Sequence, residues 1–261
     1  MILMRHNMHI HTFRSSCAHA EMIVADIAER ALAASLEVIG LVDHVNIGSR
    51  REIAFLAQDR RDVERLASPV KVLVGAEVTM LATDRPAMTP QQAAGLDLVM
   101  IAANHYHLTD IVEQPRDESA HGLAEHALAM LEGAIETGMA DIIAHPLVLS
   151  RTGWLAPEET MRHFTPERLA PVLRKARERG VAMELNPRLV ERFREFYAVF
   201  IPACRQHGVR FALGSDAHAL NGIPYAEDGI YRGAGPDDLA ALGVRQQDLI
   251  DLNALQRKRA G

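Results

Sequence analysis

The sequence predicts an α/β protein whose core is a barrel of seven parallel strands. Short apolar runs alternate with amphipathic helical stretches, which is typical of parallel strands joined by crossover helices. Seven such runs can be counted, one fewer than in the regular eight-stranded barrel. Every run ends in a histidine, a carboxylate or an amide, so similar chemistry recurs at the same end of each strand. We therefore expect a single domain over residues 1–261, a length that α/β barrels commonly reach.

The strands are predicted from apolar runs and the helices from periodicity. The run Leu98 to Ala103 is apolar throughout, as expected for a strand covered on both faces. The apolar residues within 22–36 recur with the spacing of one helix face. The predicted strands lie at residues 8–11, 38–43, 70–78, 98–103, 142–144, 181–186 and 209–214, the predicted helices at 22–36, 122–136, 165–180 and 191–207, and a C-terminal helical extension at 237–261.

Composition excludes several classes of function. The chain has 28 basic and 34 acidic residues and a net charge of -6, which argues against stable nucleic-acid binding and favours a small-molecule substrate. Its longest apolar run is far shorter than the ~18 residues that indicate a membrane span. The first residues lack the continuous hydrophobic region of a signal peptide, and two cysteines form no disulfide framework, so we expect a cytoplasmic protein. No feature of the sequence predicts an oligomeric state.

The positions of the 13 histidines are the most informative feature. In a parallel barrel the carboxyl ends of the strands form one rim, where active sites lie. A single histidine is more often structural, but many gathered without a cation would repel each other when charged or stay unpaired when neutral. A mixture of imidazole and carboxylate suits zinc, iron or manganese, so we predict a metal centre at this rim. The residues at the strand ends are His9-x-His11, Asp43-His44, Glu77, His105, His145, Glu184-Leu185-Asn186 and Asp216-x-His218.

The other histidines have simpler interpretations. His6 precedes the first strand's rim end, and His107 competes with His105 for one place. We prefer His105 as a ligand, because it comes first after the strand, and keep His107 as a candidate substrate contact. The remaining ones lie on or beside predicted surface helices: His121, His126, His163 and His207.

Taken in order, these residues resemble the polymerase and histidinol phosphatase family, the PHP domain. The resemblance covers about residues 7–220 and implies a distorted, TIM-barrel-like (β/α)7 fold that holds two to three divalent cations, zinc, manganese or iron. The residues that carry it are His9-x-His11-Thr12, Asp43-His44, the His145 loop and Ser215-Asp216-Ala217-His218, together with Glu77 and His105.

The resemblance also implies which residues hold each cation. In the first loop His19 is assigned to the third cation, with Cys17 as its competitor. The implied ligands are His9, His11, Glu77 and Asp216 for the first cation, Glu77, His105 and His145 for the second, and His44, His218 and His19 for the third.

The activity implied is the hydrolysis of a small phosphomonoester, such as L-histidinol phosphate or a nucleotide. Two cations ~3.5–4 Å apart would hold a bridging hydroxide that attacks phosphorus. Asp43 would orient a ligand or carry a proton. The candidate substrate contacts are Arg188 as first choice, then Arg14, Asn186 and His107.

Two other interpretations stay open. A hydroxide on the same cations attacks carbon as readily as phosphorus, so an amidohydrolase-like C–N hydrolase or a lactone hydrolase is the main alternative. A non-catalytic metal-binding scaffold is the other, and the complete set of donors makes it the less favoured of the two.

Overall fold

Seven parallel strands form a nearly closed barrel, with the helices on its outside, which confirms the predicted fold class. A computed structural model describes residues 2–149, 156–223 and 233–252. The barrel strands follow one another in chain order, and a two-residue strand, β4, adds an antiparallel pair to the end of β3. The strands are β1 His6–Ile10, β2 Val38–Val45, β3 Lys71–Ala82, β4 Arg85–Pro86, β5 Leu98–Ala102, β6 Ile142–Ile143, β7 Ala182–Leu185 and β8 Phe211–Leu213.

The predicted helices are present, but α2 and the short helices α3 and α5 were not predicted, and one predicted helix is divided. Helix α2 was not predicted, because it is highly charged and buries only Leu56 and Asp59. The single helix expected over residues 191–207 is two helices with a break at Phe193, since Asn186 caps a short helix directly after β7. The helices are α1 Val24–Ala33, α2 Arg50–Glu64, α3 Pro90–Ala93, α4 Ala120–Glu136, α5 Pro157–Met161, α6 Pro166–Arg179, α7 Pro187–Arg192, α8 Arg194–Gln206 and α9 Pro236–Ala241.

Side chains of β1 close the barrel against β8. The backbone N–H of Leu213 donates to Nε2 of His6 at 2.9 Å. Burial lowers the pKa of His6 to about 4, so the ring stays neutral and able to accept. Nearer the rim, the N–H of Ser215 donates to Oδ1 of Asn7 at 3.0 Å. His6 is therefore a structural histidine that joins the first and last strands.

The interior of the barrel is apolar at the end away from the rim. One cluster of buried residues takes side chains from all seven barrel strands, and the large outer core packs the helices onto the strands. Polar side chains therefore gather at the carboxyl ends of the strands. The interior cluster consists of Met8, Val38, Val42, Leu73, Leu98, Met100, Ala102, Ile142, Ala144, Ala182 and Ala212.

An extra residue in β1 creates a bulge next to the first rim histidine. Asn7 pairs with Ile39 and Ile10 with Leu41, so two residues of β1 face one residue of β2, Gly40. A Cβ on Gly40 would lie 2.7 Å from a carbonyl oxygen of β1, so this close approach needs glycine. Bulges commonly redirect side chains beside active sites, and this one lies at His9.

The C-terminal part of the described chain packs against the barrel. Leu239 in α9 is buried, and the N–H of Ile250 donates to the carbonyl oxygen of Phe211 in β8 at 2.8 Å. Of the predicted extension, residues 253–261 lie outside the described residues. Among the described residues, none of the helices combines the length and the apolar character needed to cross a membrane.

Candidate metal centre

Eight of the nine residues predicted as metal ligands meet at one mouth of the barrel. They come from β1, β2 and β3 and from the loops that follow β1, β5, β6 and β8. Their ligand atoms form four overlapping groups, in each of which all atoms lie within 4.8 Å of one another. We call these eight residues the rim cluster: His9, His11, His44, Glu77, His105, His145, Asp216 and His218.

Glu77 lies at the centre of the rim cluster and is fully buried. One carboxylate oxygen, Oε1, is 2.9 Å from Nε2 of His145 and 3.4 Å from Nε2 of His105. The other, Oε2, is 2.7 Å from Nδ1 of His44 and 3.5 Å from Nε2 of His9. Burial would raise the pKa of Glu77, but the surrounding imidazoles hold that pKa well below its ordinary value. The carboxylate therefore remains charged and offers an oxygen to each side.

The donor set fits divalent cations, because ligand atoms of several residues face each other at short distances. Nδ1 of His44 and Oε2 of Glu77 are 2.7 Å apart, yet both are buried and neither makes a hydrogen bond. Nε2 of His9 and Nε2 of His11 point at each other across 3.1 Å. Unpaired buried nitrogens and oxygens are costly, and a shared cation would satisfy them.

Neighbouring acceptors determine which nitrogen of each imidazole is free. Nδ1 of His9 lies 2.8 Å from the carboxylate of Glu184, and Nδ1 of His145 lies 2.9 Å from Oδ1 of Asn104. Because these partners accept, each Nδ1 donates, and Nε2 keeps its lone pair for the centre of the cluster. The same arrangement joins Nδ1 of His105 to Oγ1 of Thr79 (2.8 Å), Nδ1 of His11 to Oγ of Ser15 (3.2 Å) and Nδ1 of His218 to the carbonyl oxygen of Asp216 (3.0 Å).

Glu184 is the supporting residue with the widest reach. Its second oxygen accepts a hydrogen bond from the backbone N–H of His145, so one carboxylate ties β1 to the loop after β6. The opposing position, Gly214, leaves room for it: a Cβ there would lie 2.1 Å from Oε1 of Glu184 and 2.8 Å from Cβ of His9. Only a glycine allows this packing.

Two members of the cluster occupy strained backbone conformations. His145 has a φ of 28° and Asp216 a φ of 52°, in the left-handed region that residues other than glycine rarely adopt. Such strain persists where the surroundings fix it, and it concentrates at functional sites. Here the hydrogen bonds to Glu184 and Asn104 fix His145.

The carboxylates of the cluster favour positive charge at His9, although burial lowers the pKa of His11 and His105. Burial would lower the pKa of His9, but the carboxylates of Glu184, Glu77 and Asp216 raise it well above its ordinary value. Burial would raise the pKa of Asp216, but His9 and His11 lower it. The same carboxylates would attract a metal cation.

In the first loop the structure corrects the assignment of His19. The side chain of His19 is 68% exposed, and Nδ1 lies 4.0 Å from the carboxylate of Glu21, away from the cluster. Cys17, its competitor, is also exposed, but the imidazoles of His218 and His44 act on its thiol. Burial would raise the pKa of Cys17, but these two imidazoles lower it to about 6. Ion pairs of Arg14 with α2 hold this loop in place.

Arg14 is not available to a substrate, which corrects the second candidate contact. Nη1 lies 2.6 Å from Asp59 and Nη2 lies 2.5 Å from Asp62, so the guanidinium is committed to α2. Nε also donates to Gln58 at 3.2 Å. Arg14 therefore fixes the first loop on α2.

The other three predicted substrate contacts, Asn186, Arg188 and His107, lie near the mouth of the barrel, and each has different surroundings. Asn186 is buried, and Oδ1 accepts from the N–H of Arg188 at 3.1 Å, so this amide oxygen caps α7. The side chain of Arg188 is at the surface, and Nη2 donates to the carbonyl oxygen of Ser215 at 2.9 Å, one residue before Asp216. His107 is exposed, with its ring centroid 5.2 Å from that of His105.

Asp43 holds the first loop rather than facing the centre of the cluster. Oδ1 accepts from the N–H of Thr12 at 2.7 Å and from Oγ of Ser15 at 2.9 Å. Oδ2 accepts from Oγ1 of Thr12 at 2.5 Å. Ser15 in turn contacts His11, so Asp43 orients that imidazole through one hydroxyl.

The supporting residues were not assigned to the site from the sequence. Glu184 was predicted at the rim end of its strand, like the ligands, but was given no role there. Thr79, Asn104 and Ser15 give no such signal: each is an ordinary polar residue until the fold places it behind an imidazole.

The fold and the rim cluster together define an α/β-barrel protein with a candidate multinuclear metal centre. The chain belongs to the PHP domain family, which matches residues 7–188. The matched region contains six members of the rim cluster, and Asp216 and His218 lie beyond it. No curated protein matches the sequence.

Two solved structures share the fold at low sequence identity. A candidate histidinol phosphatase from Listeria monocytogenes is 12% identical, with a TM-score of 0.61 and coverage of 85% of this chain and 98% of its own. A histidinol phosphate phosphatase from Lactococcus lactis subsp. lactis Il1403, complexed with zinc, L-histidinol and phosphate, is 13% identical. Its TM-score is 0.59, and the match covers 98% of this chain and 93% of that one.

Proposed function

We propose that the protein is a metal-dependent phosphoesterase that hydrolyses a small phosphomonoester. The observation that carries the proposal is the fully buried carboxylate of Glu77, which lies among imidazoles whose free nitrogens point toward it. Membership of the PHP domain family and the fold shared with two phosphatases support the same activity.

The proposed cofactors are two to three divalent cations, zinc, manganese or iron. When bound, such cations lower the pKa of a coordinated water to near neutrality and neutralise the charge on phosphate oxygens. The donors grouped in the structure support shared ligands around Glu77. The proposed ligands are His9, His11, Glu77 and Asp216 for the first cation, Glu77, His105 and His145 for the second, and His44 and His218 for the third.

The residues that hydrogen-bond the proposed ligands hold them in position before a cation binds. Glu184, Thr79 and Asn104 each accept from an Nδ1 and thereby fix both the tautomer and the ring orientation. Asp43 accepts three hydrogen bonds from the first loop, which supports an orienting role rather than a proton-carrying one. The site is therefore held rigid by its own side chains.

The proposed substrate is L-histidinol phosphate or a nucleotide. The Lactococcus lactis protein is complexed with L-histidinol and phosphate, which supports the first choice. Arg188 lies at the surface beside the backbone of Ser215 and is the proposed cation for the phosphate. His107, next to His105, is the proposed contact for the rest of the substrate.

A reconstitution assay tests this proposal. The protein is stripped with a chelator, reloaded with zinc, manganese or iron, and given L-histidinol phosphate and nucleoside monophosphates beside amide and lactone substrates. We expect release of inorganic phosphate that requires the cation and is lost in Glu77→Gln. Glu37→Gln, at an exposed ion pair with Arg5, is the matched control and should keep full activity.

Two results would contradict the proposal in different ways. Turnover of only the amides or lactones would replace the phosphoesterase with a hydrolase that attacks carbon. Full cation loading without hydrolysis of any substrate would favour the metal-binding scaffold.

A further inference from the structure

The hydroxyl of Thr79 lies between an imidazole of the rim cluster and a residue outside it. Thr79 is fully buried in β3. Its Oγ1 is 2.8 Å from Nδ1 of His105 and 2.8 Å from Oδ1 of Asn46. A hydroxyl has a single proton, and an amide oxygen can only accept one. The proton of Thr79 therefore points to Asn46, and Oγ1 accepts from Nδ1 of His105.

Asn46 is held in place by the start of α2. It follows β2 directly and is half-buried. Its backbone N–H donates to Oε1 of Glu52 at 2.8 Å. The other oxygen of Glu52 accepts from the N–H of Ser49 at 2.7 Å, as part of the capping box that begins α2. The same carboxylate thus fixes the helix start and the backbone of Asn46.

The direction of the Thr79 hydroxyl determines which nitrogen of His105 is free. In the observed direction Nδ1 carries the proton, and the lone pair of Nε2 faces Oε1 of Glu77 at 3.4 Å. If the hydroxyl turned and donated to Nδ1, the ring would carry its proton on Nε2 and donate it to Glu77. That nitrogen could not bind a cation until the proton had moved.

We propose that Asn46 is a positioning residue that holds the Thr79 hydroxyl in the direction that leaves Nε2 of His105 free for a cation. The inference rests on the proposed function, which supplies the cation. Asn46 acts through Thr79, because its amide oxygen takes the only proton that the hydroxyl could give to the ring. Removing this acceptor should therefore change the tautomer of His105 before any metal is present.

Nuclear magnetic resonance of the metal-free protein tests the tautomer directly. At about pH 8 an ordinary imidazole is neutral, and its two nitrogens then differ in ¹⁵N shift. Signals missing from His105→Gln identify this ring. We expect the proton on Nδ1 in the wild type and on Nε2 in Asn46→Leu. Asn46→Asp should keep the wild-type tautomer, because a carboxylate can only accept from Thr79.

Zinc affinity gives a second readout, measured by competition with a chromophoric chelator. Asn46→Leu should weaken the binding of one zinc by about tenfold, the lower end for a supporting residue. Thr79→Val removes the hydroxyl itself, so Asn46→Leu added to it should cause no further loss. Asn221→Leu, at an exposed position in the short turn 220–222, is the matched control and should bind zinc like the wild type.

The outcomes separate this inference from the proposed function. A proton that stays on Nδ1 in Asn46→Leu, or a double variant weaker than Thr79→Val alone, would overturn the role of Asn46. Phosphate release by the same wild-type preparation would leave the phosphoesterase intact. The expected spectra and affinities in a protein that hydrolyses no phosphomonoester would support the role of Asn46 and contradict the activity.

Discussion

Six members of the rim cluster form an inner and an outer half that are held in different ways, and the other two, His11 and Asp216, contact both halves. The inner half is Glu77 with His9, His105 and His145, whose side chains are 0% to 13% exposed. The outer half is His44 and His218, whose side chains are 19% and 27% exposed. Acceptors on β3, on β7 and in the loop after β5 fix the inner imidazoles, whereas the first loop contacts the outer half. The barrel therefore determines the positions of the inner side chains, and the first loop influences those of the outer ones.

Removing the charge of the inner half should have the largest effect. Glu77→Gln should lower kcat/KM for the substrate by about 1,000-fold or more, because several kcal/mol of charge stabilisation are lost. Steady-state kinetics at saturating zinc measures it. Activity within tenfold of the wild type would show that the carboxylate of Glu77 is not central.

Changing Glu184, which hydrogen-bonds two of the inner ligands, should have the next largest effect. In Glu184→Gln the amide can accept from only one of the two groups that now donate, Nδ1 of His9 and the N–H of His145. Supporting partners of this kind are worth about 10–100-fold in metal affinity. Competition with a chromophoric chelator measures the loss.

A matched change on the surface separates this effect from loss of charge alone. Glu178 lies near the exposed end of α6, so Glu178→Gln should bind metal like the wild type. Equal metal affinities for the two variants would contradict the role of Glu184 in positioning the inner ligands.

His6 lies at the start of β1, away from the rim, and provides a comparison because this histidine has only a structural role. The pKa of His6 is about 4 when folded and about 6.5 when unfolded, so the unfolded chain binds the proton more tightly. The stability from this group is complete above pH 6.5 and is lost between pH 6.5 and 4. From pH 7 to pH 5 the loss should be about 2 kcal/mol.

His6→Gln should remove this pH dependence, because the amide oxygen can still accept from Leu213 but does not titrate. Urea unfolding of the metal-free proteins at pH 7 and pH 5 gives the two differences. Parallel pH dependences in wild type and variant would mean that another group causes the loss.

Loosening the first loop should affect only the outer half, and by the smallest amount. Arg14→Met frees the loop from Asp59 and Asp62. Contacts one step removed from a ligand are worth about 1 kcal/mol, so affinity for one zinc should fall about fivefold. Arg60→Met, which breaks the more exposed pair with Asp97, should change nothing. Equal weakening of all the cations, measured by titration calorimetry, would contradict the division into halves.

The same division explains what could be predicted from the sequence. Donors at or just after strand ends, such as His9, Glu77 and His145, were predicted, because the parallel barrel forces strand ends to meet at one rim. His19 was wrong, since nothing local decides which residue of a loop faces inward. Arg14 failed as a substrate contact for a similar reason: its partners lie on α2, a helix too polar to be predicted.

The most direct measurement is an anomalous difference map from crystals grown with zinc and recorded at the zinc absorption edge. We predict peaks about 2.0–2.3 Å from the Glu77 carboxylate and the surrounding imidazole nitrogens, with a further peak beside His44 and His218. An absence of peaks within ligand distance of Glu77, in crystals that show zinc elsewhere, would contradict the metal centre.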